Sequence, residues 1–367
     1  MDKYLILENG AVFKGKSFGY DGEAVGEIVF TTKSTGYMET LSDPAYYGQI
    51  VLQTFPLIGN YGVIPQDFGP GPMHLKAYIV RDWCQEPSNF RCEGNLDSFL
   101  CEHKIPGLYD IDTRALTKVI RENGAMNAML SNKPELNSKD WAKLKEYKIT
   151  NAVANVCAES NYSPGNSQNS KLKTQNSGEA CRNVVMWDFG DGFRASELLL
   201  EYGLNPVVVK YAASADSILA KKPDGIMLTG GPGDPAENTK IIEQIKKLCD
   251  SGKNIPIFAV GLGHQMLAIA NGAATEKLKV GNRGSNQPVR ELAGSHAFVT
   301  TQNHGYAVNP QSLPSTAVMS YKNVNDGTCE GIDYQNIPAF SVQFEPTREI
   351  MGRFVNMVKG VCGNASK

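Results

Sequence analysis

The stretch from Val184 to Ala270 constrains the fold most, because short apolar runs alternate there with amphipathic runs of helical length. Val184–Trp187, Pro206–Val209, Gly225–Leu228 and Ile255–Val260 read as buried strands. Phe193–Tyr202, Ala215–Ala220, Glu237–Cys249 and a segment from about Gly263 read as helices. That order predicts βαβ units on a mainly parallel sheet flanked by helices. Ligands on such sheets sit at the carboxyl ends of strands, so the loops after Leu228 and Val260 are the first places to look. Asn254 to Thr275 lacks Asp, Glu, Lys and Arg over 22 residues, yet it contains His264, Gln265 and Asn271. It reads as a buried strand turning into a helix, and no membrane span is expected.

Upstream the texture changes. Tyr4–Leu7, Ala11–Phe13, Glu27–Thr31 and Gln49–Thr54 are strand-like runs broken by glycine turns, followed by helical patterns at Asp97–His103, Asp112–Asn123 and Lys139–Tyr147. A β-rich mixed α/β domain is expected there. Glu159 to Ala180 holds five Ser, four Asn and two Gln in 22 residues, with Leu172 its only large aliphatic side chain. Such a segment buries too little apolar surface to offset its ordering entropy, so it reads as a linker or loop. The expected division is residues 1–150, a polar linker over 151–181, and a second domain over 182–362. After Ala297 the pattern is strand-rich, and it ends in an amphipathic helix with Ile350, Phe354 and Val358 on one face.

Charge excludes some partners. Lys and Arg number 36 against 38 Asp and Glu, so no basic excess points to nucleic acid or an anionic membrane. The first residues carry no long apolar core behind a basic flank, and a cytoplasmic chain is expected. The cysteines (Cys84, Cys92, Cys101, Cys157, Cys181, Cys249, Cys329 and Cys362) form no C-x-x-C pair, and reduced thiols are the expectation. No metal site is expected.

Two loops can carry chemistry. Thr229-Gly-Gly-Pro-Gly-Asp-Pro235 follows a strand but lacks the glycine patterns of nucleotide loops, and its prolines remove backbone donors. Gly231 and Gly233 retain N–H groups for an anion or a carbonyl oxygen. Ile257-Phe-Ala-Val-Gly-Leu-Gly-His-Gln265 has the strand–sharp turn–helix layout of a nucleophile elbow, with Gly261 at its tip. Glycine tolerates the unusual backbone angles of that tip and offers no nucleophile.

These and further motifs resemble the small, glutamine-hydrolysing subunit of carbamoyl phosphate synthase, whose C-terminal half is a class I glutamine amidotransferase domain. The resemblance covers nearly the whole chain. In the first half it rests on Gly19 to Phe30, Thr35-Gly-Tyr-Met-Glu39, Asp43-Pro-Ala-Tyr46, Pro56 to Gly62 and Gly107 to Thr117. In the second half it rests on Gly230-Gly-Pro-Gly-Asp-Pro235, Leu262-Gly-His-Gln265, Gln302-Asn-His-Gly-Tyr306 and Phe340-Ser-Val-Gln-Phe344. The resemblance implies that Gly231, Gly233, Leu262, Gln265, Asn303, Gly305 and Tyr306 surround a glutamine pocket, together with Ala45 where the family has a serine. It also implies a large, ATP-using partner subunit, to which ATP and magnesium would belong; no cofactor is expected in this chain.

The departures are concentrated at the chemistry. Where the family has Cys-Leu-Gly-His-Gln, the chain has Gly261, and where the family ends in Phe-His-Pro-Glu it has Phe344-Glu345-Pro346-Thr347. A Gly-His-Arg-Gly-x-Asn-His-Pro stretch has become Gly281-Asn-Arg-Gly-Ser-Asn-Gln-Pro288. Amide hydrolysis by this route needs a thiolate, an imidazole and a carboxylate that holds the imidazole. Gly261, Glu345 and Thr347 supply none of these roles. The expectation is therefore a small-subunit homologue with no glutaminase of its own, supporting synthesis of carbamoyl phosphate for arginine or pyrimidine formation. Glu345 is expected by default to be a solvated or hydrogen-bonded acid that faces water or pairs with Arg348 or Arg283, with the holding of ammonium as the sharper alternative. The alternatives are a stand-alone pseudoenzyme that senses glutamine or a related metabolite, and a glutaminase with a relocated nucleophile. His264 is expected to be a satisfied buried histidine, His304 to be distinct from the triad base, and Cys329 to be an ordinary strand residue.

Overall fold

The computed structural model describes residues 1–69, 72–157, 182–294 and 296–360. They pack as two units, Met1–Ala152 with Leu278–Asn286, and Val153–Lys277 with the residues from Gln287 onward. The expected polar linker core, Glu159–Ala180, and Cys181 and Cys362 lie outside the described residues. The division departs from 1–150, 151–181 and 182–362 in two places. Ala152–Val156 is a short helix, and Val153 is buried in the core of the second unit. Leu278–Asn286 belongs to the first unit, where the Arg283 carbonyl accepts from the N–H and the hydroxyl of Thr32. Val280 packs there against the core of the first unit, and hydrogen bonds at Arg283 hold the more polar remainder of the stretch.

The first unit contains strands β1 (Asp2–Leu7), β2 (Val12–Gly19), β3 (Ala24–Thr31), β4 (Gln49–Gln53), β5 (Leu57–Ile58), β6 (Ala77–Ile79), β7 (Asp82–Trp83), β8 (Pro106–Tyr109) and β9 (Met126–Ser131). Its helices are α1 (Tyr37–Leu41), α2 (Leu96–Glu102), α3 (Thr113–Asn123) and α4 (Ser138–Glu146). Seven strands close a barrel in the order β1-β2-β8-β6-β4-β3-β9. Closure follows from β9, which pairs antiparallel with both β1 and β3 and so leaves neither an open edge. Leu5, Ile28, Leu52, Leu108 and Leu130 fill one core with Leu116 and Ile120 of α3. Asp112 starts that helix by accepting the Ala115 N–H at 2.9 Å. Ala45 lies in a 3-10 turn over Pro44–Tyr46, and its N–H donates to Asp43 Oδ1 at 2.9 Å.

The second unit opens at Val153, within helix α5 (Ala152–Val156). It then has strands β10 (Asn183–Trp187), β11 (Asn205–Val209), β12 (Gly225–Leu228) and β13 (Ile257–Val260), with helices α6 (Gly192–Glu201), α7 (Ala215–Leu219), α8 (Thr239–Cys249) and α9 (Leu262–Ala270). Strands β14 (Thr275–Glu291), β15 (Ala297–Val308), β16 (Ala317–Asn323), β17 (Cys329–Tyr334) and β18 (Ala339–Val342) follow, then helix α10 (Arg348–Lys359). The sheet has nine strands in the order β11-β10-β12-β13-β18-β17-β15-β14-β16. The pairings from β11 through β18 are parallel, and β17 reverses the direction. The expected α/β class therefore holds, with β14 an addition the sequence reading lacked. In the core Phe258 stacks on Phe340 at 4.7 Å and packs against Phe354 of α10 at 5.4 Å. Because β12, β13 and β18 run parallel, the segments after Leu228, Val260 and Val342 leave the same edge of the sheet.

Candidate functional site

Gly261 sits between β13 and α9 with φ 54° and ψ −114°, the tight turn expected of an elbow. Its N–H donates to the Val342 carbonyl at 2.9 Å, and the Gly263 N–H donates to the Thr229 carbonyl at 3.0 Å. The elbow is thus pinned to both neighbouring strands. A Cβ built at Gly261 meets, among the described residues, only Gly230 Cα, at 3.3 Å, a tight contact that a small shift of Gly230 relieves. Gly231 has no such room: a Cβ there would run into the Phe189 carbonyl oxygen and lie 3.1 Å from Leu262 Cδ2. Gly233 turns the same loop at φ 88°.

The structure joins Gln265 to Tyr306 and Gln343 by hydrogen bonds. Gln265 is buried, and its Nε2 donates to the Tyr306 carbonyl at 2.7 Å and to Gln343 Oε1 at 2.8 Å. Asn303 and Gly305 lie on β15, half-buried, between residues of the buried face. Ala45 belongs to the first unit and is described with it above.

Glu345 and Thr347 follow β18, and neither resembles a base with its orienting acid. Glu345 is 56% exposed and its Oε1 lies 3.6 Å from an Arg194 guanidinium nitrogen. The expected partners, Arg348 and Arg283, are corrected to Arg194, which α6 presents from a position some 150 residues earlier in the chain. Arg283 is buried and donates to the Val280 carbonyl at 2.7 Å. Thr347 caps α10, its hydroxyl accepting from the Ile350 N–H at 3.4 Å.

His264 is fully buried, with Nδ1 2.8 Å from Ser341 Oγ. Burial pushes it down to about 3, so it is neutral at physiological pH. Among the described residues its Nε2 has no hydrogen-bond partner, so the expected satisfied histidine is only half satisfied there. His304 places Nδ1 2.8 Å from the Tyr306 carbonyl and Nε2 3.2 Å from Gln302 Oε1. Residues missed from sequence are Arg194 and Glu330. Glu330 is fully buried on β17, 3.9 Å from His304 Nε2. An acidic residue inside an apolar strand run, Cys329-Glu-Gly-Ile332, was the available signal.

The described cysteines are all free thiols. In the second unit burial pushes Cys157 well above the ordinary thiol range, Cys249 to about 11 and Cys329 to about 12. None is a thiolate near neutral pH, which removes them as relocated nucleophiles. No helix among the described residues is long and apolar enough to cross a membrane.

A β-barrel unit followed by a parallel sheet with an elbow at the edge of β13 defines a small-chain domain joined to a class I glutamine amidotransferase fold. Residues 5–130 match the carbamoyl-phosphate synthase small chain domain, and residues 185–349 match the class I glutamine amidotransferase family. The carbamoyl phosphate synthase small chain of Clostridium perfringens is 43% identical over 348 residues, covering 94% of each chain. The pyrimidine-specific small chain of Bacillus subtilis is 40% identical over 382 residues, covering all of both. The chain belongs to the carbamoyl phosphate synthase small-chain family.

Proposed function

We propose that this chain is a small subunit of carbamoyl phosphate synthase that has lost glutamine hydrolysis and serves a large ATP-using subunit as a structural or regulatory partner. The observation that supports this most is Gly261: the elbow keeps its strained backbone and its hydrogen bonds while its tip carries no nucleophile. An oxyanion hole alone, with Leu262 and Gly231 as N–H donors, leaves an amide without an attacking group. Ammonia then comes from elsewhere, and Glu345 meets ammonium only in competition with Arg194. The bond from Gln265 to the Tyr306 carbonyl favours, as a second reading, a stand-alone sensor of glutamine or a related metabolite.

The test is to purify the chain with and without its cognate large subunit and measure ammonia release from glutamine and carbamoyl phosphate formed from ammonium. No ammonia above the uncatalysed background, with association at micromolar concentration, is the expected result. Glutamine hydrolysis that stops on changing Gln265 refutes the loss; absence of association with binding of glutamine leaves the sensor reading. Coincident ammonium curves for wild type and Glu345→Gln remove any part for that carboxylate.

A further inference from the structure

The turn that joins β16 to β17 places one hydroxyl between two carboxyl groups. Thr328 Oγ1 lies 2.8 Å from Glu330 Oε1 and 2.7 Å from Asp326 Oδ1. The Thr328 N–H also donates to that Asp326 oxygen, at 3.0 Å. Two ionised carboxylates can only accept, whereas the hydroxyl has a single proton to give. One of the two acids therefore carries a proton of its own. Asp326 is exposed and takes the Thr328 N–H, so it is the charged member. Glu330 is fully buried, and its Oε2 has no hydrogen-bond partner among the described residues, a setting that strongly disfavours an ionised carboxyl.

Among the described residues the Glu330 carboxyl has no ion pair with a lysine or arginine. β15 presents His304, whose Nε2 is 3.9 Å from Glu330 Oε1 and 3.2 Å from Gln302 Oε1. α9 presents His264, which is neutral, and β18 is followed by the uncharged Gln343. β16 ends at the buried Asn323, after Tyr321 and the exposed Lys322, and β14 sets Arg290 and Glu291 opposite Lys322 and Tyr321. On β17 itself the other titratable side chains are Cys329, Asp333 and Tyr334.

We infer that Glu330 is held as a neutral acid that donates its proton to Thr328 Oγ1 while Thr328 donates its own to Asp326, and that this two-step chain locks the β16–β17 turn behind Gln343 and Gln265. Burial, which pushes Glu330 up to about 8, agrees with that assignment. The backbone of the turn is closed by the Asn323 N–H on the Thr328 carbonyl at 3.0 Å and the Gly327 N–H on the Asn323 carbonyl at 3.1 Å. The Glu330 carbonyl accepts the Gln343 N–H at 2.9 Å, and Gln343 Oε1 accepts from Gln265 at 2.8 Å. Glu330 is thus a positioning residue that acts on Gln265 through Gln343. Opening the turn releases Glu330 to water, where a glutamate ionises near 4.3. Opening therefore sheds the proton and becomes about tenfold easier per pH unit between about 5 and 8.

The test is carbon NMR of the full chain with labelled glutamate carboxyls, together with amide hydrogen exchange across pH. The Glu330 carboxyl, assigned through its backbone, is expected to be in the acid form at pH 7. Protection of the Asn323 and Gly327 amides, corrected for intrinsic exchange, is expected to fall about tenfold per pH unit between about 5 and 8. Glu330→Gln supplies an amide that donates to Thr328 at every pH, and it is expected to abolish that slope. An ionised Glu330 at pH 7 in the wild type, or the same slope in Glu330→Gln, overturns the inference. If that variant does not fold, the wild-type carboxyl signal decides alone. The readout needs neither glutamine nor a large subunit, so its failure is separate from failure of the proposed function.

Discussion

A positive φ costs a side-chain-bearing residue about 1–3 kcal/mol, and enzymes with an elbow accept that cost to project a nucleophile. Gly261 takes the same backbone angles, φ 54° and ψ −114°, with nothing to project. Gly261→Cys is therefore expected to fold, since its Cβ meets only Gly230 Cα at 3.3 Å, with a stability loss of about 1–3 kcal/mol in urea unfolding. It is expected to release no ammonia from glutamine, because Glu345 is paired with Arg194 and offers no imidazole. Recovered hydrolysis in that single variant would show that a base survives in the pocket. Gly231→Ala, by contrast, runs into the Phe189 carbonyl and is expected to lose more stability than Gly261→Cys.

At the scale of elements, Thr347 has a structural role. Thr347 begins α10, a helix whose Ile350, Phe354 and Val358 are buried against β13 and β18. A hydroxyl that accepts from the Ile350 N–H is a capping group, and capping threonines contribute about 1 kcal/mol. Thr347→Ala is expected to lower the unfolding free energy by about that amount and to leave association with a large subunit unchanged. A variant as stable as wild type would mean that the cap is not used in solution. The same logic applies to the elbow, whose position is fixed by two neighbouring strands and not by its own residues.

Across the whole molecule, one buried histidine and one buried acid give stability a pH dependence. Burial pushes His264 down to about 3, below the ordinary histidine value of about 6.5, so the folded state resists a proton that the unfolded chain takes up. Its contribution is present above about 6.5 and is lost as pH falls toward 3. Glu330 acts in the other direction. Burial raises its carboxyl to about 8, above an unfolded glutamate near 4.3, so its contribution is present below about 4.3 and is lost as pH rises toward 8. Glu330→Gln is therefore expected to flatten the decline on the alkaline side and to leave the acid side unchanged. Chemical unfolding at stepped pH checks this, and an alkaline limb identical in the variant would exclude Glu330 as its cause.

The sequence by itself determined the parallel strands from Val184 to Val260, because their apolar runs are long enough to be buried on both faces. It also determined that the tip of the elbow, Gly261, carries no side chain. Several boundaries were readable only approximately: β13 starts at Ile257 and not Ile255, and α8 at Thr239 and not Glu237. The tertiary structure decided three things. It joined Leu278–Asn286 to the first unit, through hydrogen bonds at Arg283 and the packing of Val280, whose partner strands no local pattern names. It brought Arg194 to Glu345, and Glu330 to His304, across separations in sequence that carry no pairing signal. Hydrophobic periodicity is local and survives in one chain, whereas the partner of a buried charge is set by which strands the sheet places side by side.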